Sequence, residues 1–293
     1  MRAALVPLLA VAVLAAGCGG ASHPPARRAG PAPARPACVD RLPLDTLLRV
    51  PDGPRRPRPL ILALHGARQS GYGLQSYTGF TDDAPGCLVA YPNTPHDNGF
   101  WRPDDVPALL ALIDAIGRCE PVAEVSAVGF SNGGLMANAL ACRAARRIRA
   151  IVLVAAGYEG LGRCAPAQPV SVLSIHGSSD QVVAYRGMRA FVDTWARRDR
   201  CAPRPSARRE VEGITHLRWH GCAAGTRVEH LRVADDTHGW PSITDANQRM
   251  VRFLRAVDRG SQVRARTSAR HRSGQMMGRR RLNRTERGPT KGA

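Results

Sequence analysis

Three side chains at three separate points of the chain are of the types needed to cleave an ester or amide bond. Ser131 lies in Gly-Phe-Ser-Asn-Gly (residues 129–133), at the end of the run VSAVGFSNGG over residues 125–134. A serine hydroxyl attacks a carbonyl only if a base takes its proton and an acid holds that base in the right tautomer. Asp180, in HGSSD (176–180), and His238, in THGWP (237–241), supply those two types. The glycines flanking Ser131 have a physical reason. A serine held at a sharp bend needs neighbours without a Cβ, because two backbone segments pass close together there.

Each residue also has a plainer reading. A chain with 29 glycines can produce Gly-x-Ser-x-Gly by accident. Aspartates cap turns, and His238 is one of nine histidines. Asp235 and Asp236 stand closer to His238 in sequence, but an acid two or three residues before a base on one loop is poorly placed to reach behind its ring. His65 is a rival base, yet a histidine in a His-Gly turn at a strand end suits bracing the neighbouring loop. The joint occurrence of Ser131, Asp180 and His238, each at the end of an expected strand, favours the chemical reading.

Those strand ends follow from the elements that must position the residues. Residues 59–64 (PLILAL) and 87–91 (CLVAY) are short apolar runs with turn chemistry around them, as are 149–156 (RAIVLVAA) and 170–175 (VSVLSI). Residues 226–233 (TRVEHLRV) alternate as a half-buried strand would. Between them lie helical patterns. Residues 106–116 follow the acidic pair Asp104-Asp105, which suits a helix N-terminus. An alanine- and leucine-rich helix over 135–145 follows the serine turn. Met188, Phe191, Val192 and Trp195 recur at helical spacing, and 243–257 reads as a closing amphipathic helix.

Strands alternating with helices imply a mostly parallel sheet with helices on both faces, and sites in such sheets form at the carboxyl ends of the strands. Strand, tight turn and helix around Ser131 make the pattern of a nucleophile elbow, and the order Ser, Asp, His is that of an α/β-hydrolase fold. The expected fold is α/β, a single domain without a lid. An oxyanion hole needs two backbone donors. One is expected from Asn132, the residue after the serine, and one from the loop after His65-Gly66, at Ala67. Residues 66–71 lack the Gly-Lys-Ser/Thr or Gly-x-Gly-x-x-Gly spacing of a nucleotide site.

The two ends of the chain differ in character from its middle. Residues 1–18 read as a targeting segment: Arg2, an apolar stretch over 3–16, and Leu-Ala-Ala-Gly-Cys ending at Cys18. That ending resembles a lipobox whose cysteine is acylated, with a plain cleaved secretory peptide as the alternative. Either way the protein is expected outside the cell membrane, lipid-anchored or secreted. Residues 19–37, nearly all Gly, Ala, Pro, Ser and Arg, form an expected tether, and residues 38–260 hold the expected folded domain. Residues 261–293 form a basic tail, with nine arginines and a lysine against Glu286, within a total of +19. An anionic surface fits this tail as well as plain solvation does. Nucleic acid does not, since no aromatic residues interleave with the arginines. Besides Cys18 there are seven cysteines without C-x-x-C or Cys/His ligand spacing, so disulfides are expected and a zinc site is not. No cofactor is expected, and oligomeric state is not legible.

The stretches LALHGARQS, GFSNGGLMANALAC, PVSVLSIHGSSDQVVAY and HGWP resemble the esterase/poly(3-hydroxybutyrate) depolymerase family, which includes feruloyl and acetylxylan esterases. The resemblance spans residues 59–254. It implies a serine esterase with Ser131 as nucleophile, Asp180 as acid and His238 as base. It also implies a cysteine pair, Cys201 with Cys222, before the strand that leads to the histidine, and Cys142 with Cys164 is a second candidate pair. Trp101 and Trp240 are weighed equally as an aromatic wall for the acyl group and as core packing. Where the family often has cysteine this chain has Ala67, which keeps the backbone donor. The expected substrates are soluble or carbohydrate-linked esters with short-chain, hydroxyalkanoate or aromatic acyl groups. A serine peptidase of the same fold and a non-catalytic glycan-binding lipoprotein are the alternatives.

Overall fold

The apolar runs of the sequence lie side by side in one sheet. A computed structural model of the chain describes residues 41–156, 164–211 and 213–257. Its strands are β1 (Leu47–Arg49), β2 (Arg58–Leu64), β3 (Leu88–Tyr91), β4 (Val122–Phe130), β5 (Ala150–Val154), β6 (Ser171–Gly177), β7 (Ser206–Arg209), β8 (Ile214–Trp219) and β9 (Val228–Val233). They are ordered β1-β3-β2-β4-β5-β6-β9-β8-β7. The six inner strands from β3 to β9 run parallel. β1 at one edge and β8 and β7 at the other are antiparallel to their neighbours.

The helices are α1 (Gly71–Thr78), α2 (Phe80–Asp83), α3 (Val106–Cys119), α4 (Asn132–Arg143), α5 (Met188–Arg198) and α6 over 246–257. They cover both faces of the sheet, and successive strand residues alternate between the two cores. Leu60, Leu62 and Leu64 of β2 join Leu109, Ile116, Leu140 and Trp195 of α3, α4 and α5. Ile61 and Ala63 face the other way, with Leu74, Phe80, Met250 and Leu254 of α1, α2 and α6. A strand buried on both faces must be apolar at every position, which is why these runs are continuous rather than alternating. Truncating such a leucine to alanine costs about 2–5 kcal/mol.

Three features depart from the sequence reading. The edge strands β1, β7 and β8 were not expected, because β7 (SARR) is exposed throughout and β8 (ITHLRW) mixes polar and apolar positions. The sequence of β9 alternates polar and apolar residues. The strand lies between β6 and β8, so only Arg232 of its six residues is less than buried. Helix α4 starts at Asn132, three residues earlier than its leucine-rich part suggested. Among the described residues, two disulfides link pairs of nearby elements. Cys201–Cys222 ties the end of α5 to the segment before β9, and Cys142–Cys164 ties the end of α4 to the segment after β5. Among the described residues no helix is long and apolar enough to cross a membrane. Cys18, the tether and the basic tail lie outside the described residues.

Candidate active site

The end of β4 is where the chain is most constrained. Ser131 has φ 52° and ψ −117° between the last strand residue and the first turn of α4. A left-handed serine costs about 1–3 kcal/mol and persists only where the surroundings impose it. Here they do. Ser131 N donates to Val154 O at 2.9 Å, while Gly134 N and Leu135 N donate to Ser131 O at 2.9 and 3.2 Å. A Cβ on Gly129 would run into the carbonyl of Gly133, and one on Gly133 would run into the carbonyls of Leu64 and His65. Glycine at both positions lets α4 begin directly against β2 and β4.

Two further loops close around this turn. After β6, Ser178 N donates to Val233 O at 2.8 Å and Ser179 N to Asp236 O at 2.9 Å, and Ser178 Oγ accepts from Asp235 N at 2.9 Å. The loop carrying Asp180 is thereby laced to the loop carrying His238. Asp180 is 4% exposed. Its Oδ1 accepts from the N–H groups of Val182 and Val183 at 2.9 and 2.8 Å. Its Oδ2 accepts from His238 Nδ1 at 2.8 Å. His238 Nε2 then accepts from the Ser131 hydroxyl at 3.0 Å. Burial pushes the Asp180 carboxyl up, but the hydrogen bonds from His238, Val183 and Val182 outweigh it and hold the group below the usual carboxylate range. Asp236, nearer His238 in sequence, is engaged elsewhere: its carboxylate accepts from Ser242 N and Oγ.

The loop after β2 stands opposite. Gly66 N donates to Gln69 Oε1 at 3.0 Å, and Arg68 N to Gly99 O at 2.9 Å. Ala67 borders the cleft beside Ser131 and His238. His65 is buried, its Nδ1–H donating to Gly66 O at 2.8 Å, so it braces this loop and stays out of the hydrogen-bond chain. Burial holds its imidazole below the ordinary range. Asn132 folds its side chain back on Trp101: Oδ1 accepts from Trp101 N at 2.7 Å and Nδ2 donates to Trp101 O at 3.1 Å. Among the described residues no group of His, Cys, Asp or Glu is arranged to hold a metal ion.

No family model matches the chain. It is 30% identical over 311 residues to the putative esterase NocK of Nocardia uniformis subsp. tsuyamanensis, an alignment that covers 80% of this chain and 89% of that protein. The chain belongs to the feruloyl/acetylxylan esterase-like α/β-hydrolase family. Feruloyl esterase C of Emericella nidulans is 30% identical over 171 residues, 54% of this chain and 62% of its own length. A bifunctional acetylxylan esterase/xylanase of Neocallimastix patriciarum is 26% identical over 64% of this chain, which spans 29% of that protein. The acetyl xylan esterase from Aspergillus awamori shares the fold, with a TM-score of 0.60 at 14% identity over 71% of this chain and 93% of that one.

In this member of the feruloyl/acetylxylan esterase-like family, the cleft at Ser131 holds about 370 Å³. Its walls differ from the expected ones. Trp101 is 2% exposed and packs in the core beside His65, at 5.2 Å between rings. It acts as the backbone partner of Asn132 rather than as an acyl wall. Trp240 is only partly buried, but its ring stacks edge-on behind Phe130 and Phe80, and Nε1 donates to Asn247 Oδ1 at 2.8 Å. The side chains that border the cleft are Gln69, Tyr77, Phe130 and Val182. Sequence reasoning missed all four. Tyr77 and Val182 carry no motif, and Phe130 is apolar in an apolar run. A larger depression of about 620 Å³, bordered by Arg118, Glu124, Arg147 and Arg149, lies at the amino ends of β4 and β5, away from the hydrogen-bonded trio.

Proposed function

We propose that the protein is an exported serine carboxylic-ester hydrolase that works through an acyl-enzyme on short-chain, hydroxyalkanoate or aromatic, feruloyl-type esters. The observation that carries this reading is the unbroken hydrogen-bond chain from Ser131 Oγ to His238 Nε2 and from Nδ1 to Asp180, at 3.0 and 2.8 Å, on a strained turn that opens into a cleft. The neutral imidazole takes the Ser131 proton as Oγ attacks the ester carbonyl, and the ionised Asp180 stabilises the imidazolium that forms. The N–H groups of Ala67 and Asn132 receive the tetrahedral oxyanion, and the start of α4 favours that charge. The imidazolium then protonates the leaving alcohol. Water, deprotonated by the same base, releases the acid.

The test is Ser131→Ala against a chromogenic short-chain ester. Turnover should fall by roughly ten-thousand-fold or more while the fold is kept, because the nucleophile alone is removed. A folded Ser131→Ala protein with wild-type turnover would overturn the reading.

Residues 1–18 direct export, with acylation at Cys18, residues 19–37 tether, residues 38–260 fold as the esterase, and residues 261–293 form a basic tail. Disulfides such as Cys142–Cys164 and Cys201–Cys222 suit an oxidising compartment outside the cytoplasm. Cys18→Ser should move the protein from the membrane fraction to the medium, and an unchanged distribution would rule out that anchor.

A further inference from the structure

The mechanism above leaves one buried histidine unused beside its acid. His176, near the end of β6, is 1% exposed. Its Nε2 lies 2.8 Å from Val183 O and 3.1 Å from Asp180 Oδ2. A carbonyl oxygen only accepts, so Nε2 carries the proton. Nδ1 is buried with no hydrogen-bond partner among the described residues, a site that suits a bare nitrogen better than a second N–H. The single N–H is therefore shared between the Val183 carbonyl and the carboxylate. Asp180 Oδ2 faces two imidazole N–H groups, one from His238 and one from His176.

The ring is held from behind as well. Tyr185 meets it edge-on at 5.9 Å, the Tyr185 hydroxyl and His230 Nε2 are 3.0 Å apart, and His230 Nδ1 is 3.1 Å from Ser174 Oγ. Burial pushes His176 below the ordinary imidazole range and takes His230 down to about 3, so both stay neutral where an esterase works. His176 does not border the cleft.

Building on the triad reading, we infer that His176 is a positioning residue that clamps Asp180 against His238 and moderates the negative charge that Asp180 presents to it. A donor on Oδ2 withdraws charge from that oxygen, so without it His238 holds its proton to higher pH. The charged and titratable groups facing the pair are few. Asp180, Ser131 and His176 surround His238. His238, Tyr185 and His230 surround His176, with the cations Arg189 of α5 and Arg232 of β9 beyond Tyr185 and His230. Substituting His176 alone leaves the other groups named in place.

His176→Phe keeps a ring and removes the donor, and His176→Gln keeps an amide N–H near the position of Nε2. In H176F the acid limb of the kcat/KM profile should move up by about half to one pH unit. Its kcat at neutral pH should fall about three- to thirtyfold with KM unchanged. H176Q should stay close to wild type. The same upward shift should show in the NMR titration of His238 in the Ser131→Ala background, where turnover plays no part. An H176F limb that coincides with wild type, or an equal shift in H176Q, would overturn the inference. In the unmodified protein the imidazole nitrogen spectrum should show His176 as the Nε2–H tautomer, without titration from about pH 5 to 9. A titrating or Nδ1–H His176 would overturn the inference even if H176F failed to fold. Wild-type turnover abolished by Ser131→Ala is the control: losing that control sinks the triad reading, whereas an unmoved limb with the control intact sinks the role of His176 alone.

Discussion

The ring of Phe130 lies 5.4 Å from the imidazole of His238, so the residue immediately before Ser131 is also a wall for the proposed base. Phe130 is 5% exposed, and its contacts continue to Tyr77 at 6.3 Å and Trp240 at 6.4 Å between rings. Tyr77 in turn accepts from Trp240 N at 3.1 Å, two residues after His238. The histidine loop thus rests on an aromatic cluster built from β4 and α1. Phe130→Ala should lower stability by about 3–5 kcal/mol through cavity formation. In the folded fraction it should lower kcat about ten- to hundredfold, because a small displacement of a reacting group is costly. Active-site titration beside steady-state kinetics separates the two effects, and an unchanged kcat per folded site would show that the ring does not brace His238.

Much of this site was legible before the structure. Ser131, Asp180 and His238 stand out because glycine-rich turns at the ends of buried strands leave a signature in residue type and spacing. The fold was legible for the same reason: the inner strands are buried on both faces and read as unbroken apolar runs. The edge strands were not, since β7 is Ser-Ala-Arg-Arg and has no buried face to impose a pattern. Tyr77 and Val182 were hidden for a different reason. Their position at the cleft comes from the packing of distant elements, which no local period encodes. Trp101, weighed equally as an acyl wall and as core packing, takes the second role and packs beside His65. His176 was visible only as part of a His-Gly turn, because its contact with Asp180 depends on how residues 180–183 curl back.

The Cys201–Cys222 bridge closes a loop of 21 residues that contains β7 and β8. β7 pairs with β8, and β8 pairs with β9, the strand that leads to His238. In the chain-entropy model a loop of this size is worth roughly 3 kcal/mol. Cys201→Ser with Cys222→Ser should lower the urea midpoint accordingly, and reductant should lower the wild-type midpoint but have a smaller effect on the double variant. Equal midpoints for wild type and the double variant would show that the bridge leaves folding stability unchanged.

Asp199, at the end of α5, is fully buried, and its Oδ1 accepts from Val170 N at 3.3 Å. Burial pushes its carboxyl up to about 6, against an ordinary value of 3.8. A raised pKa means that the folded state holds the proton more tightly than the unfolded chain. The stability this proton contributes is complete below the ordinary value and is lost as pH rises through about 6. Asp199→Asn removes the ionisation. Its stability relative to wild type should therefore rise by about 2–3 kcal/mol between pH 4 and pH 7, whatever constant offset the amide introduces. Urea unfolding at the two pH values measures this, and a difference that does not change with pH would exclude the raised carboxyl.

The dimensions of the cleft bear on substrate choice. About 370 Å³ beside Ser131 is bordered by Gly66, Ala67, Gln69, Tyr77, Phe130 and Val182. Tyr77 and Val182 are 56% and 72% exposed, so the rim is apolar yet open to water. Each buried methylene is worth about 0.8 kcal/mol, but only if the group leaves water. A flat aromatic or short acyl group can lie against Tyr77 beside Ser131, whereas the distal part of a long chain would project past Val182 into solvent and gain little. Catalytic efficiency should therefore peak at short or aromatic acyl esters and fall beyond about eight acyl carbons. Tyr77→Ala should selectively weaken the aromatic esters, by about 1–2 kcal/mol for the lost ring contact, roughly five- to thirtyfold in kcat/KM. A panel of acetyl, butyryl, octanoyl, palmitoyl and feruloyl esters assayed with both proteins is the measurement. A steady rise in efficiency out to about sixteen carbons would require a long dry channel, which the apolar but open rim at Tyr77 and Val182 does not provide.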